Sequence, residues 1–488
     1  KSFTDWKQFF PELSNALDSY AKLNPLQDEQ AFTSPSTTAV VIEESTYLLG
    51  DTFKATIYAK DRQNRSKSYG GDFFSLDFFR GLFYSAITPD GIPCVVTDHW
   101  NGTYSITAPL VQAASFTLEV LLVSSLEGIS ELVEFTGTRR DVGYVYVAEL
   151  ESGETVHCNV DISAYPRYAH AESCDYSNPR NQEPWFCTKP ASGVCSRITN
   201  IVFDQMPDEK PRFSFENETK SKYETMSVIK GSGVDILVSE SKATYAPPVL
   251  KDCVVKNRKH VRPNGYMWGG RWVSLTCANT LQSVRDTRNC LKDKVVYFFG
   301  DSTIRMYSFL LASQLNLRFV GPNSNSIWQN PKTLYNLGYN ITTYYRAHGP
   351  PLQNPGGPET RPYISDSLDG IRVAGKDTFI IFNIGAHLHK FGPSIFIHRM
   401  QGIRDAVLRL LNRFPETRII YRGLSVLSTP LEWYFYRYDV IVRDIFKDID
   451  NFMFLDFWDL TTVVPQNDYH PPPYLTEIKS LVLFDYLC

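Results

Sequence analysis

The sequence lacks the features that mark membrane-spanning and nucleic-acid-binding proteins. No eighteen consecutive residues are apolar, so no transmembrane helix is expected. There is no long run of Lys and Arg, and the formal net charge is −4, so neither nucleic acid nor an anionic membrane is implied as a partner. Internal repeats and low-complexity tracts are also missing. The hydrophobic content of 43% is typical of a globular protein.

The length of 488 residues, 43% of them hydrophobic, exceeds what one core usually serves. We therefore expect two or three domains. The chain begins KSFTDWKQFF, with neither an initiator Met nor a hydrophobic leader, and we expect it to be a trimmed form of a longer chain.

Nine cysteines and four Asn-x-Ser/Thr sequons point to an oxidising compartment. The cysteines are Cys158, Cys174, Cys187 and Cys195 in one group, Cys253, Cys277, Cys290 and Cys488 in a second, and Cys94 alone. The sequons are at Asn64, Asn101, Asn217 and Asn340. Together they favour a disulfide-bonded glycoprotein of the secretory pathway, in the Golgi lumen or secreted. The alternative is a cytosolic chain with reduced thiols, and the cysteine spacings fit no common zinc pattern.

Eight cysteines can pair, which leaves the state of Cys94 open. We expect Cys488 to bond within the C-terminal domain, to Cys253, Cys277 or Cys290. Such a bond would pin the last helix.

The N-terminal half divides into three predicted segments. Residues 1–35 carry aromatic and Leu residues at helical spacing and then a polar linker. Residues 36–150 alternate short β-branched and aromatic runs with turn signals such as PDG and NGT, which predicts an Ig-like β-sandwich. Residues 151–250 are rich in Pro, Asn, Ser and Cys, and we interpret them as a disulfide-rich extension.

Residues 251–488 change character, because apolar strand-like runs now alternate with helical patterns. Examples are KVVYFFG before STIRMYSFLLASQL, and DTFIIFNIG before SIFIHRMQGIRDAVLRLLNRF. Strands buried on both faces read as continuous apolar runs, and helices supply the crossovers of a parallel sheet. We predict an α/β domain whose site lies beyond the carboxyl ends of its strands.

Two residues in this domain suggest nucleophilic catalysis. Ser302 follows an apolar strand and opens a helix, so it is either a nucleophile or only a helix cap. His470 lies on a Pro-rich loop before the last helix, where it is either a base or an ordinary surface residue. Strand-Gly-Asp-Ser-helix early and loop-His-helix late is the order of Gly-Asp-Ser hydrolases, in which His deprotonates Ser.

The segment FNIGAHLHKFGP supplies further candidates at the end of the strongest middle strand. The backbone N–H of Gly385 or the side-chain amide of Asn383 is expected to complete an oxyanion hole with Ser302, unless this is an ordinary strand end. His387 and His389 could share one face of a strand and hold a metal, but no acidic or Cys partner is evident nearby, so no metal is predicted.

The motifs YFFGDSTIR, FNIGAHL, YHPPPYL and LFDYLC resemble the NXPE family, whose members join a neurexophilin-like Ig module to a PC-esterase domain. SYGGDFFSLDF and DHWNGTYSITAPL resemble the Ig module, so the similarity covers nearly the whole chain after residue 35. The resemblance implies an SGNH-hydrolase-like fold for the C-terminal domain. It also implies acyl transfer at O-acetyl esters of glycans, with Ser302 as nucleophile and His470 as base.

The sequence departs from the family pattern near His470. The wider esterase group has an Asp three residues before the His, and that position here is Asn467. The alternatives for the acid are Asp468, which we favour, Asp456 or Asp459, or a dyad without an acid. Arg305 matches the family's Arg after the serine motif, although Met306-Tyr307 stands where Gln-Trp is expected.

The stretch YYRAHGPP resembles a family segment with a His-Gly-x-Pro core. It makes His348 a candidate substrate-binding residue beside Arg305 and His387, unless it is a loop histidine.

Two functions remain from the sequence. The first is a glycan O-acetyltransferase or O-acetylesterase, with transfer and sialic acid favoured, no bound cofactor, and acetyl-CoA as the expected donor. The second is a catalytically inactive secreted ligand or glycan-binding protein, in which the Ig-like module contacts a receptor or a glycan and the α/β domain is a catalytic relic. A receptor or dimer contact through the Ig-like module is open in either case.

Overall fold

The computed structural model describes most of the chain. The described residues are 6–24, 26, 28–80, 90–138, 144–180, 183–205, 222–240, 249–281, 283–320, 330–349, 356–427, 429, 431–464, 466 and 468–488. The sequon at Asn217 and the residue Asn467 lie outside these ranges.

Within these ranges the strands are numbered in chain order. They are β1 (Ala39–Ile42), β2 (Thr46–Leu48), β3 (Thr52–Tyr58), β4 (Phe73–Arg80), β5 (Gly91–Pro93), β6 (Val95–Asp98), β7 (Thr103–Pro109), β8 (Ser115–Ser124), β9 (Tyr144–Leu150), β10 (Thr155–Asn159), β11 (Ser173–Asp175), β12 (Phe186–Thr188), β13 (Ile198–Gln205), β14 (Ser227–Val228), β15 (Val234–Ser239), β16 (Gly265–Trp268), β17 (Arg271–Ser274), β18 (Val295–Gly300), β19 (Arg318–Phe319), β20 (Lys332–Asn336), β21 (Ile341–Ala347), β22 (Thr378–Asn383), β23 (Arg418–Arg422) and β24 (Phe452–Leu455).

The helices are numbered in the same way. The α-helices are α1 (Pro11–Leu23), α2 (Leu126–Thr138), α3 (Val284–Cys290), α4 (Ser302–Gln314), α5 (Ile364–Asp369), α6 (Gly385–Leu388), α7 (Pro393–Arg413), α8 (Glu432–Ile445), α9 (Trp458–Val463) and α10 (Pro473–Asp485). Short 3₁₀ turns occur at Trp6–Phe9, Glu29–Ala31, Ile162–Ala164, Pro166–Tyr168 and His389–Phe391.

Two sheets in the N-terminal part face each other. One has the order β1-β3-β7-β6, and the other has the order β17-β16-β5-β4-β8-β15-β2 with β14 beside β8. Phe53 and Ile57 of β3 are buried alternately and share one hydrophobic cluster with Phe116 and Leu118 of the second sheet. The period of two that predicted strands therefore corresponds to one face of each sheet turned toward a common core.

A five-stranded antiparallel sheet, in the order β11-β12-β10-β9-β13, follows in the chain. Two disulfides join its strands, Cys158–Cys187 and Cys174–Cys195. The sheet is tied to helix α7 by a buried ion pair in which Arg399 Nε donates to Glu183 Oε2 at 2.5 Å.

The sheets cross the predicted domain boundaries at residues 150 and 250. Strand β9 belongs to the five-stranded sheet, whereas β15 joins β8 and β2 in the eight-stranded sheet. Strands β16 and β17, after residue 250, also belong to the eight-stranded sheet. Three of the predicted segments therefore contribute to one sheet.

A seven-stranded sheet, in the order β19-β20-β21-β18-β22-β23-β24, organises the C-terminal part. The five strands from β21 to β24 in that order are parallel. Every residue of β22 is buried. Its Phe379 and Ile381 pack with α4 and α10 on one face, and its Ile380 and Phe382 pack with α7 and α8 on the other. This explains the continuous apolar run in the sequence.

Helix α1 begins with a proline, whose fixed φ suits the first helical turn. It packs its buried Leu13 and Tyr20 into the cluster that also contains α7 and α8. The ring of Trp6 contacts that of Trp433 in α8 edge-on, with centroids 6.1 Å apart. The N-terminal helix therefore links the first part of the chain to the α/β sheet.

All eight cysteines of the two groups are paired, with Cys253–Cys277 and Cys290–Cys488 in the C-terminal part. The prediction for Cys488 is confirmed, and Cys94 is buried and takes part in none of these four disulfides. The sequons at Asn64, Asn101 and Asn340 lie on exposed side chains, as glycosylation requires. In the described part of the chain, no helix combines the length and apolar character that a membrane span needs.

Candidate active site

The turn between β18 and α4 positions Ser302. Gly300 has φ +148°, and a Cβ there would lie 1.9 Å from the carbonyl oxygen of Asn383 in the neighbouring strand, so only glycine fits. Asp301 is the helix cap, because its Oδ1 accepts from the Thr303 N–H at 2.9 Å. The interpretation of Ser302 as the capping side chain is therefore wrong, and its hydroxyl is available for another contact.

That contact is with His470. Its Nε2 lies 2.6 Å from Ser302 Oγ, although 168 residues separate the two in the chain. The ring comes from the loop between α9 and α10, and Pro472 and Pro473 set the start of α10 directly after it. Ser302 is 8% exposed, and the His470 side chain is about half exposed. A hydroxyl and an imidazole at this distance have the geometry of a nucleophile and its base.

Asp468 lies beside His470 but does not hold its ring. Its Oδ1 is 3.9 Å from Nδ1, which is within ion-pair range of a protonated imidazole and beyond a hydrogen bond. The same oxygen accepts from the backbone N–H of His470 at 3.2 Å. The carboxylate is 71% exposed, so water screens its charge.

The other two acids considered for this role are committed elsewhere. Asp456 Oδ2 lies 2.5 Å from His260 Nε2. Burial alone would raise the pKa of Asp456, but this contact and the positive charges of nearby arginines hold the pKa below its usual value. Asp459 accepts from Arg262 Nε at 2.8 Å and from the Asn264 N–H. Among the described residues, Ser302 and His470 therefore form a Ser–His pair, and the carboxylate of Asp468 lies too far from the imidazole to complete a triad.

The oxyanion candidates lie at the same edge of the sheet. Gly385 begins α6 directly after β22, and a Cβ there would lie 2.5 Å from Leu424, so this close approach requires glycine. Asn383 is fully buried at the end of β22 and donates from Nδ2 to the carbonyl of Arg422 at 2.5 Å. One N–H of that amide is thus engaged, and the other is its remaining donor.

The predicted substrate-binding histidines contact each other. His348, which follows β21 and is fully buried, has its Nε2 2.8 Å from Nδ1 of His387 and its Nδ1 2.7 Å from the carbonyl of Gly349. A proton on Nδ1 of His348 serves that carbonyl, so its Nε2 accepts and Nδ1 of His387 donates. Burial, with the charges of His387 and Arg399, lowers the pKa of His348 well below its usual value.

His389 and Arg305 are placed differently. His389 donates from Nδ1 to the carbonyl of Ala386 at 2.8 Å and does not share a strand face with His387. Within the described residues no three His, Cys, Asp or Glu side chains gather as metal ligands would. The guanidinium of Arg305, in the first turn of α4, lies over the ring of Phe309 at 5.8 Å from its centroid.

Two buried cations near the dyad were missed by sequence reasoning. Arg422 ends β23, where it donates to the hydroxyl of Thr303 and to the carbonyl of Gly423. Lys479 in α10 is 1% exposed, and burial lowers its pKa well below the usual value. The sequence does carry a signal for each: Arg422 is a charged residue at the end of an apolar strand, and Lys479 interrupts the apolar face of a helix.

A groove of about 710 Å³ lies away from the Ser302 and His470 motifs. It runs between residues 253–264 and β24, and neither Ser302 nor His470 lines it. Its size alone does not make it the active site, because the candidate nucleophile and the candidate base both lie elsewhere.

Two solved structures show weak likenesses to parts of this chain. The crystal structure of the Lin-41 filamin domain is 11% identical, with a TM-score of 0.15, over 19% of this chain and 83% of that one. The crystal structure of invasin, a bacterial integrin-binding protein, is 10% identical, with a TM-score of 0.15, over 65% of this chain and 60% of that one. At these scores neither likeness informs the fold.

A family model gives a specific match to the segment that contains the dyad. Residues 272–488 match the model described as "NXPE family member 4-like, C-terminal domain". The matched segment includes the whole seven-stranded sheet, from β18 to β24 in chain order, and helix α10. The C-terminal part of this chain is therefore similar to the C-terminal domain of the NXPE family.

Proposed function

We propose that the protein transfers acetyl groups at O-acetyl esters of glycans through a covalent acyl-Ser302 intermediate. The family is related to the PC-esterase and SGNH group, and we assign an SGNH-hydrolase-like fold to the C-terminal domain on that basis. The observation that carries the proposal is the 2.6 Å approach of Ser302 Oγ to His470 Nε2.

In the proposed reaction His470 Nε2 takes the proton of Ser302 as Oγ attacks the acyl carbonyl carbon. The resulting oxyanion is met by the N–H groups of Ser302 and Gly385, with the Asn383 amide as the third candidate. Collapse of the intermediate breaks the bond to the donor's leaving group, which receives the proton from His470. The donor is expected to be acetyl-CoA, whose leaving group is a thiol.

The second half of the reaction runs in reverse order. His470 takes the proton of an acceptor hydroxyl, the new oxygen attacks the acyl-enzyme carbonyl, and Ser302 leaves with the proton returned from His470. A sugar hydroxyl as acceptor gives transfer, and water gives hydrolysis. We favour transfer to sialic acid in the Golgi lumen or outside the cell. Four disulfides are compatible with that environment.

The first test compares the wild-type protein with Ser302→Ala. We expect the wild type to release acetate from 4-nitrophenyl acetate or to acetylate sialosides from acetyl-CoA, and the variant to lose at least about 10³-fold, since the nucleophile is removed. Ser313→Ala, an exposed serine of the same helix, is the matched control and should keep full activity. Equal rates for wild type and Ser302→Ala would reject the proposal.

A second candidate is a catalytically inactive ligand or glycan-binding protein. It is favoured by one observation, the 3.9 Å separation between the exposed Asp468 carboxylate and the His470 ring. Saturable glycan or receptor binding by the Ser302→Ala protein, without turnover by the wild type on either substrate, would support it.

A further inference from the structure

A small pocket lies beside Ser302 and His470, and it is bordered by residues of the Gly-Asp-Ser turn, the FNIGAHL segment and the loop that carries His470. Its lining includes Thr303, which follows the nucleophile, Ala386, which follows the oxyanion candidate, and Tyr469 and Pro471, which flank the base. The free space is about 20 Å³, and the pocket is not closed off from its surroundings. This volume admits one small polar group and excludes a sugar ring, since a single water needs roughly 10–15 Å³.

Two cationic side chains line this pocket and are almost completely buried. Arg422 is 3% exposed, and its Nε makes no hydrogen bond to the described residues. Lys479 is 1% exposed, and among the described residues its Nζ donates only to neutral oxygens, at 2.8 Å to Ser425 Oγ and 3.4 Å to Gln466 Oε1. Buried charges are normally paired, so this pair of cations needs an explanation.

The carboxylates nearest to these cations do not balance them. Asp301 reaches Arg422 only through the hydroxyl of Thr303. Asp439 accepts from the Leu424 N–H, and burial raises its pKa well above the usual value, which favours its uncharged form. No Asp or Glu is among the described residues that line the pocket. The described lining of the pocket therefore offers no counter-ion to Arg422. A bound anion would supply one, and it would also offset the burial that lowers the pKa of Lys479 and so favour the ammonium form.

We propose that the Arg422–Lys479 pocket binds the carboxylate of an acidic sugar and so presents that sugar's hydroxyl groups to the acyl-serine. The inference rests on the proposed function and assigns the residues that hold its acidic acceptor. A carboxylate has two oxygens, which match the Nε–H of Arg422 and the ammonium of Lys479. Only this terminal group enters the pocket, and the ring stays outside it, next to Ser302.

The test measures binding without turnover. Calorimetry on the Ser302→Ala protein compares the methyl glycoside of N-acetylneuraminic acid with the methyl ester of the same glycoside. We expect the acid to bind at least about tenfold more tightly than the ester, because the ester lacks the charge that strengthens these hydrogen bonds. Equal affinity for acid and ester, or no binding of either, would overturn the inference.

Lys479→Met in the same background separates the pocket from general electrostatics. The acid should lose at least about tenfold in affinity and the ester should be unaffected. Lys376→Met, which removes an exposed lysine, is the matched control and should change neither. Lys479→Met removes a buried charge and should fold with an unchanged or higher melting temperature, and Lys479→Arg should retain the preference for the acid. An acid affinity in Lys479→Met equal to the parent's would reject the pocket.

Free acetate is the other source of a carboxylate, as the product of hydrolysis. It should compete with the acidic glycoside only weakly, and competition as strong as that of the glycoside itself would overturn the assignment to a sugar. These binding experiments do not depend on catalysis. Carboxylate binding at Lys479 with no acetyl turnover by the wild type would reject the proposed function and leave the pocket intact.

Discussion

The N-terminal and C-terminal parts of the molecule both bury lysines, and they do so in different ways. In the N-terminal part Lys67 Nζ donates to Glu127 Oε1 at 2.7 Å, to the hydroxyl of Tyr69 at 2.6 Å and to a backbone carbonyl. In the C-terminal part Lys479 meets neutral oxygens, and Arg422 keeps an unbonded Nε among the described residues. The first arrangement is fully satisfied, and the second is open to an added anion.

This difference separates a structural role from a functional one. A buried charge with all its partners fixes the packing of its neighbours, and it has no capacity left for a ligand. A buried charge that lacks a counter-ion costs free energy in the folded protein, and such sites cluster where chemistry is done. Variants in each part should therefore fail in different assays.

Of the variants that distinguish the two parts, His470→Gln is expected to have the largest effect, which is on turnover. Removing the base should lower turnover by about 10²–10⁴-fold, because Ser302 then has no proton acceptor at 2.6 Å. The measurement is kcat/KM for an acetyl ester, with the melting temperature as a check on folding. His170→Gln, at an exposed histidine, is the control. Turnover within tenfold of the wild type would show that another group serves as the base.

Glu127→Leu should have the opposite signature. It leaves the ammonium of Lys67 buried without its carboxylate, which costs about 3–5 kcal/mol in free energy of unfolding. Turnover per folded molecule should be unchanged, since neither residue lines the pocket beside the dyad. Denaturant unfolding measures the loss, and the double variant Lys67→Met/Glu127→Leu should recover much of it. A drop in turnover at constant folded fraction would remove the distinction between the two regions.

The sequence predicts the candidate site because the signals for Ser302 and His470 are local. An apolar run, a Gly-Asp-Ser turn and a helix pattern are adjacent in the chain, and they form β18, the turn and α4. The loop before α10 was recognised from its histidine and prolines. Parallel strands buried on both faces then bring Ser302 and His470 to one edge of the sheet, as the alternation of strands and helices predicted.

Contacts between distant parts of the chain left no such signal. Asp456 contacts His260 and Asp459 contacts Arg262, each nearly two hundred residues earlier in the chain. The residues adjacent to the two aspartates in the sequence therefore do not indicate that these carboxylates lie outside the candidate site. The same holds for β16, whose Met267 pairs with Gly91 of β5 much earlier in the chain, so the residues of β16 do not themselves indicate this partner. The assignment of Asp301 rather than Ser302 as the helix cap also needed coordinates, since both residue types cap helices.

The disulfides offer a smaller test of the same contrast. Cys158–Cys187 closes 29 residues within the five-stranded sheet, and Cys290–Cys488 closes 198 residues and anchors the chain just after α10. Replacing either pair by Ala should cost about 2–5 kcal/mol in stability. Only the loss of Cys290–Cys488 should also lower turnover, since α10 follows the loop that carries His470. Equal turnover in both variants, measured per folded molecule, would show that α10 is held by packing alone.

The smallest effect is expected from Asp468→Asn. A triad carboxylate bonded to the imidazole contributes strongly, and its loss costs about 10⁴-fold in the serine protease case. Here the carboxylate is 3.9 Å from Nδ1 and 71% exposed, so its charge is screened, and we expect kcat to fall by less than about tenfold. The substituted amide keeps a side-chain oxygen that can accept from the His470 N–H, so the loop should hold its shape. A loss of more than about 10²-fold with an unchanged melting temperature would mean that Asp468 moves onto the imidazole when substrate binds, and the dyad would then have to be rewritten as a triad assembled by the substrate.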